Sequence, residues 1–231
     1  MRPITLLLFL VGLSIPLQAQ QEKIAVRTLA VTAGEYPSLW AMDSTTPVKL
    51  EFPSIQPSEP YRLTRANPFA LYQGALDAKG KPADPNPALL KLPEDGEILL
   101  LTWMQAGKVK FLPIQDTTAT GKYNDWLVIN MTSKSIGIQV GATSKPSVFP
   151  TGACKLLHID APAGEGAPII MASNENETWN KFFSTYWPVH ADKRCLVLLV
   201  QVGDSIEVRQ IFEPLERKVA KADSATPAPR K

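Results

Sequence analysis

Two short motifs carry the clearest metal chemistry. His158-Ile159-Asp160 and His190-Ala191-Asp192 each set an imidazole two residues before a carboxylate. Residues two apart on a strand share a face. Two such motifs meeting across a sheet would offer two imidazoles and two carboxylates, an adequate set for a divalent cation. They hold the chain's only 2 histidines. Asp160 runs into Ala161-Pro162 and Asp192 into Lys193, turn settings that account for an aspartate without a metal. No metal site and no cofactor is therefore assigned; His158, Asp160, His190 and Asp192 are the residues a metal would use.

Cys154 and Cys195 are the only 2 cysteines. Cys154 follows Thr151-Gly152-Ala153, and His158 or His190 could in principle act as its base. Each cysteine also opens an apolar run, CKLLHI and CLVLLV, as on neighbouring strands. In an oxidising compartment the expectation is a Cys154–Cys195 disulfide, stabilising by about 3–4 kcal/mol through loop entropy. The alternative is two separate buried thiols. No Gly-x-Ser-x-Gly elbow, phosphate loop or dinucleotide fingerprint is present. Glu94, Asp95 and Glu97 flank Gly96 and read as a turn, not as an acid/base pair. The chain is read as a non-enzyme with no catalytic residue assigned.

The best candidate for recognition is aromatic. Trp179, Phe182, Phe183, Tyr186 and Trp187 crowd one short segment, with Asn174, Asn176 and Asn180 nearby. Exposed rings stack on sugars and dominate protein interfaces. Trp179, Tyr186 and Trp187 are the candidate binding residues. The competing reading puts most of these rings in a core, where large aromatics usually reside.

The elements that would position these residues are strands. KIAVRTLAV, SLWAM, PVKLEF, YRLTR, FALYQ, EILLLTW and KVKFLPI follow one another up to Gln115, most with the alternation of half-buried strands. DWLVINM, SIGIQVG, CKLLHID, PIIMAS, RCLVLLVQV and SIEVRQIF repeat the pattern, with Gly203-Asp204 turning between the last two. ETWNKFFSTYW reads either as a strand with a bulge or as a short helix. The 21 prolines are about twice the usual share and spread along the chain, which forbids long helices. The loop DAKGKPADPNP and the polar stretch Asp116–Asn124 break the strand series, the second at an expected domain boundary. The fold class is all-β, with two immunoglobulin-like β-sandwich domains in tandem over 20–116 and 117–213; one larger β-sandwich is the alternative. No internal repeat is visible in the residues themselves.

The ends speak of export. Arg2 precedes the apolar run Ile4–Leu13, Pro16 breaks it, and Leu17-Gln18-Ala19 offers a cleavage point, so 1–19 reads as a signal peptide. The run is too short to span a bilayer comfortably, and no transmembrane segment is expected after cleavage. Residues 214–231 read as a disordered basic tail. That tail and Arg2 account for the formal +2, which leaves the body near neutral and without the clustered cations of a nucleic-acid surface.

The second half resembles a loosely defined group of uncharacterised exported bacterial β-sandwich proteins. The resemblance rests on Trp126-Leu127-Val128-Ile129-Asn130, Ile136 to Gly141, Trp179, and Arg194 to Val202 with Val208-Arg209. It implies a β-sandwich in the periplasm or outside the cell and carries over no functional residue. The expected role is a protein-binding or structural module of the cell envelope, with a protein partner or envelope assembly. A carbohydrate-binding module built on residues 179–187 is the alternative, with a glycan as ligand, and a hydrolase of unrecognised type is the third.

Overall fold

Among the described residues the chain forms sixteen strands and no helix. The computed structural model describes residues 22–105, 107–116 and 123–215. The expected signal peptide, all but two residues of the tail and most of the expected boundary segment lie outside them. No helix among the described residues is long and apolar enough to cross a membrane.

The first half holds β1 (Lys23–Ala30), β2 (Leu39–Asp43), β3 (Thr46–Leu50), β4 (Tyr61–Thr64), β5 (Phe69–Gln73), β6 (Ala88–Leu90), β7 (Ile98–Gln105) and β8 (Lys108–Gln115). The second holds β9 (Asp125–Asn130), β10 (Ser135–Val140), β11 (Ser147–Phe149), β12 (Cys154–His158), β13 (Gly166–Glu175), β14 (Thr178–Pro188), β15 (Lys193–Val202) and β16 (Ser205–Pro214). The first half forms two four-stranded sheets, ordered β4-β1-β7-β8 and β3-β2-β5-β6. The second forms β12-β9-β15-β16 and β11-β10-β13-β14. Moving every strand of the first half on by eight places reproduces the second half's orders. Both halves also share one parallel pair, β1 with β7 and β9 with β15. The chain is thus a tandem pair of β-sandwiches with one repeated path.

The sheets stack in four layers around three apolar cores. Val26, Leu63, Phe69, Leu71, Ile98 and Leu100 fill the first sandwich. Trp126, Val128, Ile138, Ile169, Trp187 and Val197 are among those that fill the second. A third cluster joins them: Leu29, Leu99 and Leu101 of the first half pack with Leu127, Leu196, Leu198 and Ile211 of the second. This explains why ILLL in β7 and CLVLLV in β15 do not alternate. Ile98 and Leu100 face one core while Leu99 and Leu101 face the next, so both strand faces are buried, the condition for an unbroken apolar run. The two sandwiches are one packed body, not beads on a linker.

Polar contacts cross the same seam. Arg27 donates from Nε to Asp116 at 2.9 Å and from Nη1 to Glu213 at 2.6 Å. Arg194 lies 3.3 Å from the other Glu213 oxygen. Arg209 donates to the carbonyls of Ala30 and Val31 at 3.1 and 2.6 Å. Burial alone would lower the pKa of Arg27, but hydrogen bonding and attraction from Glu213 and Asp116 outweigh it and raise the value.

The expected disulfide is absent: both cysteines are free. Cys154 pairs with Ile129 across β12–β9, and Cys195 with Trp126 across β15–β9. They are two strands apart and offset by three residues, so their Cα atoms are about 14 Å apart, twice the bonding reach. Cys195 also faces the core of the second sandwich, whereas Cys154 packs against the seam. The apolar runs put both cysteines on one sheet, but not on the neighbouring strands expected: β9 separates β12 from β15, and the two thiols take opposite faces.

Candidate functional site

The site is built on the β13–β14 hairpin. Its turn residues Asn176 and Glu177 have φ of 50° and 67°, the paired left-handed conformation that matches the twist of a two-residue hairpin. Asn174 Oδ1 accepts from the Glu177 amide at 3.1 Å, and Lys134 pairs with Glu175 beside the turn. The segment ETWNKFFSTYW is a strand with a bulge. Met171 pairs with Phe183 but Ala172 pairs with Lys181, so Phe182 is the extra residue.

That one residue decides where the rings point. Trp179 and Trp187 are eight apart, and an unbroken strand would put both on one face. An inserted residue flips everything beyond it. Trp187 turns inward and is 4% exposed, its ring 4.9 Å from Trp126 and 5.7 Å from Phe183. Trp179 turns outward and is 45% exposed. Tyr186, next to Trp187, is outward at 58%. Of the three candidate binding residues, the structure brings Trp179 and Tyr186 to one outer face. Trp187 is a core residue, because it lies on the inward phase C-terminal to the bulge.

The Trp179 ring lies back across β13 onto β10. A Cβ built on Gly137 would come within 3.0 Å of Trp179 Cζ3, so only glycine admits the ring this close. Beside it opens a cleft of about 320 Å³ lined by Gly137, Gln139, Pro146, Val148, Ile170, Ala172 and Trp179. Gln139 is its one amide side chain, and its nitrogen donates to the Ala142 carbonyl at 3.2 Å. The lining is otherwise apolar. Sequence reasoning found Trp179 but missed Gly137, Val148 and Ile170, which lie on strands remote in sequence; the pairing of Gly137 with both Val148 and Ala172 joins them.

The other candidates are dispersed. His158 Nδ1 lies 2.8 Å from Asp125 Oδ1, and its Nε2 lies 3.3 Å from Asn124. His190 stacks edge-on against Phe212 at 5.0 Å. Among the described residues no group of three or more His, Cys, Asp or Glu could hold a metal, so Asp160 and Asp192 join no such set. Burial pushes the Cys154 thiol up to about 11 and that of Cys195 to about 12, away from the thiolate a nucleophile requires.

No family model matches the chain, and no curated protein matches it. Among solved structures it is similar to a family 26 carbohydrate-binding module from Eubacterium rectale Amy13K in complex with maltoheptaose. The two are 10% identical, with 84% of this chain and 97% of that one covered and a TM-score of 0.22. A score that low reflects shared β-strand content alone.

Proposed function

We propose that the protein is an exported binding module, without catalytic activity of its own, that engages a protein partner through the outer face of β11-β10-β13-β14. The apolar cleft under Trp179 takes a hydrophobic side chain of that partner. The carrying observation is the bulge at Phe182, which turns a tryptophan out of the core; bulges recur where a side chain is re-aimed for function. The cleft chemistry supports a protein over a sugar. Sugars need several hydrogen-bonding groups around the ring, whereas the cleft lining offers one amide side chain, Gln139, whose nitrogen already donates to the Ala142 carbonyl. The signal-like N-terminus supports a partner in the periplasm or outside the cell.

A glycan is the second reading, favoured by the exposure of Trp179 and Tyr186 on one face. One experiment separates the two. A photo-crosslinking amino acid at Val148, with Trp179 intact or replaced by Ala, is irradiated in cells and the adducts are identified. A discrete protein adduct that disappears with Trp179→Ala supports the proposal. No protein adduct, together with sugar-induced fluorescence change that Trp179→Ala abolishes, would transfer the site to a glycan.

A further inference from the structure

The eight sheet edges are not alike. β6 and β11 are three residues long, β4 four, and β3 and β12 five. β8 has eight residues but carries Pro113 within it. Short strands and internal prolines blunt an edge against pairing. β16 has ten residues and carries Glu207, Arg209 and Glu213. β14 is the longest, with eleven residues, proline only at its last position and Lys181 as its sole charge. Its partner in the first half, by the repeated path, is the three-residue β6.

The face pattern of β14 reads the same in both directions. Across the bulge, Trp179 and Lys181 face outward opposite Asn174 and Ala172; Ser184 and Tyr186 face outward opposite Ile170 and Pro168. Turn a second β14 end for end about an axis between Phe182 and Phe183. Trp179 then falls opposite Tyr186, Lys181 opposite Ser184, and Asn180 opposite Thr185. Each pair shares a face. In an unbulged strand these partners would lie on opposite faces and no such register could form. The same extra residue that exposes Trp179 therefore permits this register.

We infer that the chain pairs with a second copy of itself, β14 against β14 in antiparallel fashion, which joins two outer sheets into one of eight strands. The two-fold axis makes the contact isologous and closed. Main-chain hydrogen bonds supply affinity, and the Lys181–Ser184 and Asn180–Thr185 cross-strand pairs set the register. The inference does not depend on what fills the cleft: the Trp179 ring leans toward Gly137, away from the edge, so the cleft stays open in the dimer.

The test is sedimentation equilibrium of the signal-processed full chain. The wild-type protein is expected to run as a dimer. Ser184→Lys sets a like charge opposite Lys181 twice per dimer and is expected to weaken association by about tenfold. Adding Lys181→Glu to Ser184→Lys restores opposite charges and is expected to restore the dimer. A wild-type monomer at every concentration would overturn the inference. So would a Ser184→Lys dimer as tight as wild type, or failure of the double variant to recover. Both positions are exposed, and an unchanged melting temperature verifies that each variant folds. The crosslink at Val148 reads the cleft separately from this association.

Discussion

Arg27, near the start of the fold, donates to Glu213, near its end, at 2.6 Å across the seam between the sandwiches. The pair lies well out of solvent, with side-chain exposures of 14% and 7%. Arg27→Met leaves Glu213 buried without its cross-seam partner and should cost about 3–5 kcal/mol. Replacing Glu213 by Leu in the same molecule removes the stranded carboxylate and should recover part of that loss, the remainder reflecting the Arg27–Asp116 and Arg194–Glu213 contacts that the double variant also removes. Urea unfolding of the single and double variants gives both numbers. A double variant no better than Arg27→Met would show that the ion pair does not act as a unit.

Because the seam is a shared apolar core, unfolding should be a single transition. Two resolved transitions in calorimetry would mean that Leu29, Leu99, Leu196 and Leu198 do not couple the halves.

The thiols set an alkaline limit. Cys154 and Cys195 titrate near 9 when unfolded and near 11 and 12 when folded. Below pH 9 both states hold the protons and the thiols confer no pH dependence. From there upward the unfolded chain ionises first, so their contribution is lost as pH rises toward 12. Folded protein at pH 8 should react slowly with iodoacetamide, Cys195 slowest, and both should label at once in urea. Intact mass without reductant should show two free thiols.

Deletion of Phe182 should restore strict alternation and turn Trp179 toward the core. Iodide quenching reads the change: Trp179→Phe should lower the quenchable fraction in the wild type but leave it unaltered in the deletion. The two tryptophans should also differ in stability. Trp187→Ala should cost about 3–5 kcal/mol, whereas Trp179→Ala, at the surface, should stay within about 0.5 kcal/mol.

Gly137→Ala places a methyl against the Trp179 ring at 3.0 Å. The ring should lift and its emission shift to the red, with partner crosslinking at Val148 reduced. Stability should hold or rise, because Ala in a strand interior is favoured over Gly by about 0.5–1 kcal/mol.

Most strands were readable from alternation and turn residues, and the all-β class with them. The exceptions are instructive. β6 and β11 escaped because three residues between prolines cannot show a period. The repeated path escaped because it is a repeat of connections, while the side chains have diverged: Trp126 stands at the cysteine-paired position of β9, and β14 has grown where β6 stayed short. The disulfide was misjudged because a one-dimensional reading tells which sheet a cysteine joins more readily than which face it takes. Trp187 was misassigned for the same reason, since a single bulged residue reverses the face of everything beyond it.

The doubly buried strands also bear on how the protein is made. When the ribosome has finished β8, the first sandwich is complete in sequence, yet Leu29, Leu99 and Leu101 have nothing to rest against. Their cover begins with Leu127 and Ile129 and is completed by Leu196 and Leu198, roughly 80 residues after β8, a wait of about 4–16 s at ordinary elongation rates. A nascent first half with so adhesive a flank is expected to reach its full stability only once β15 has docked on it.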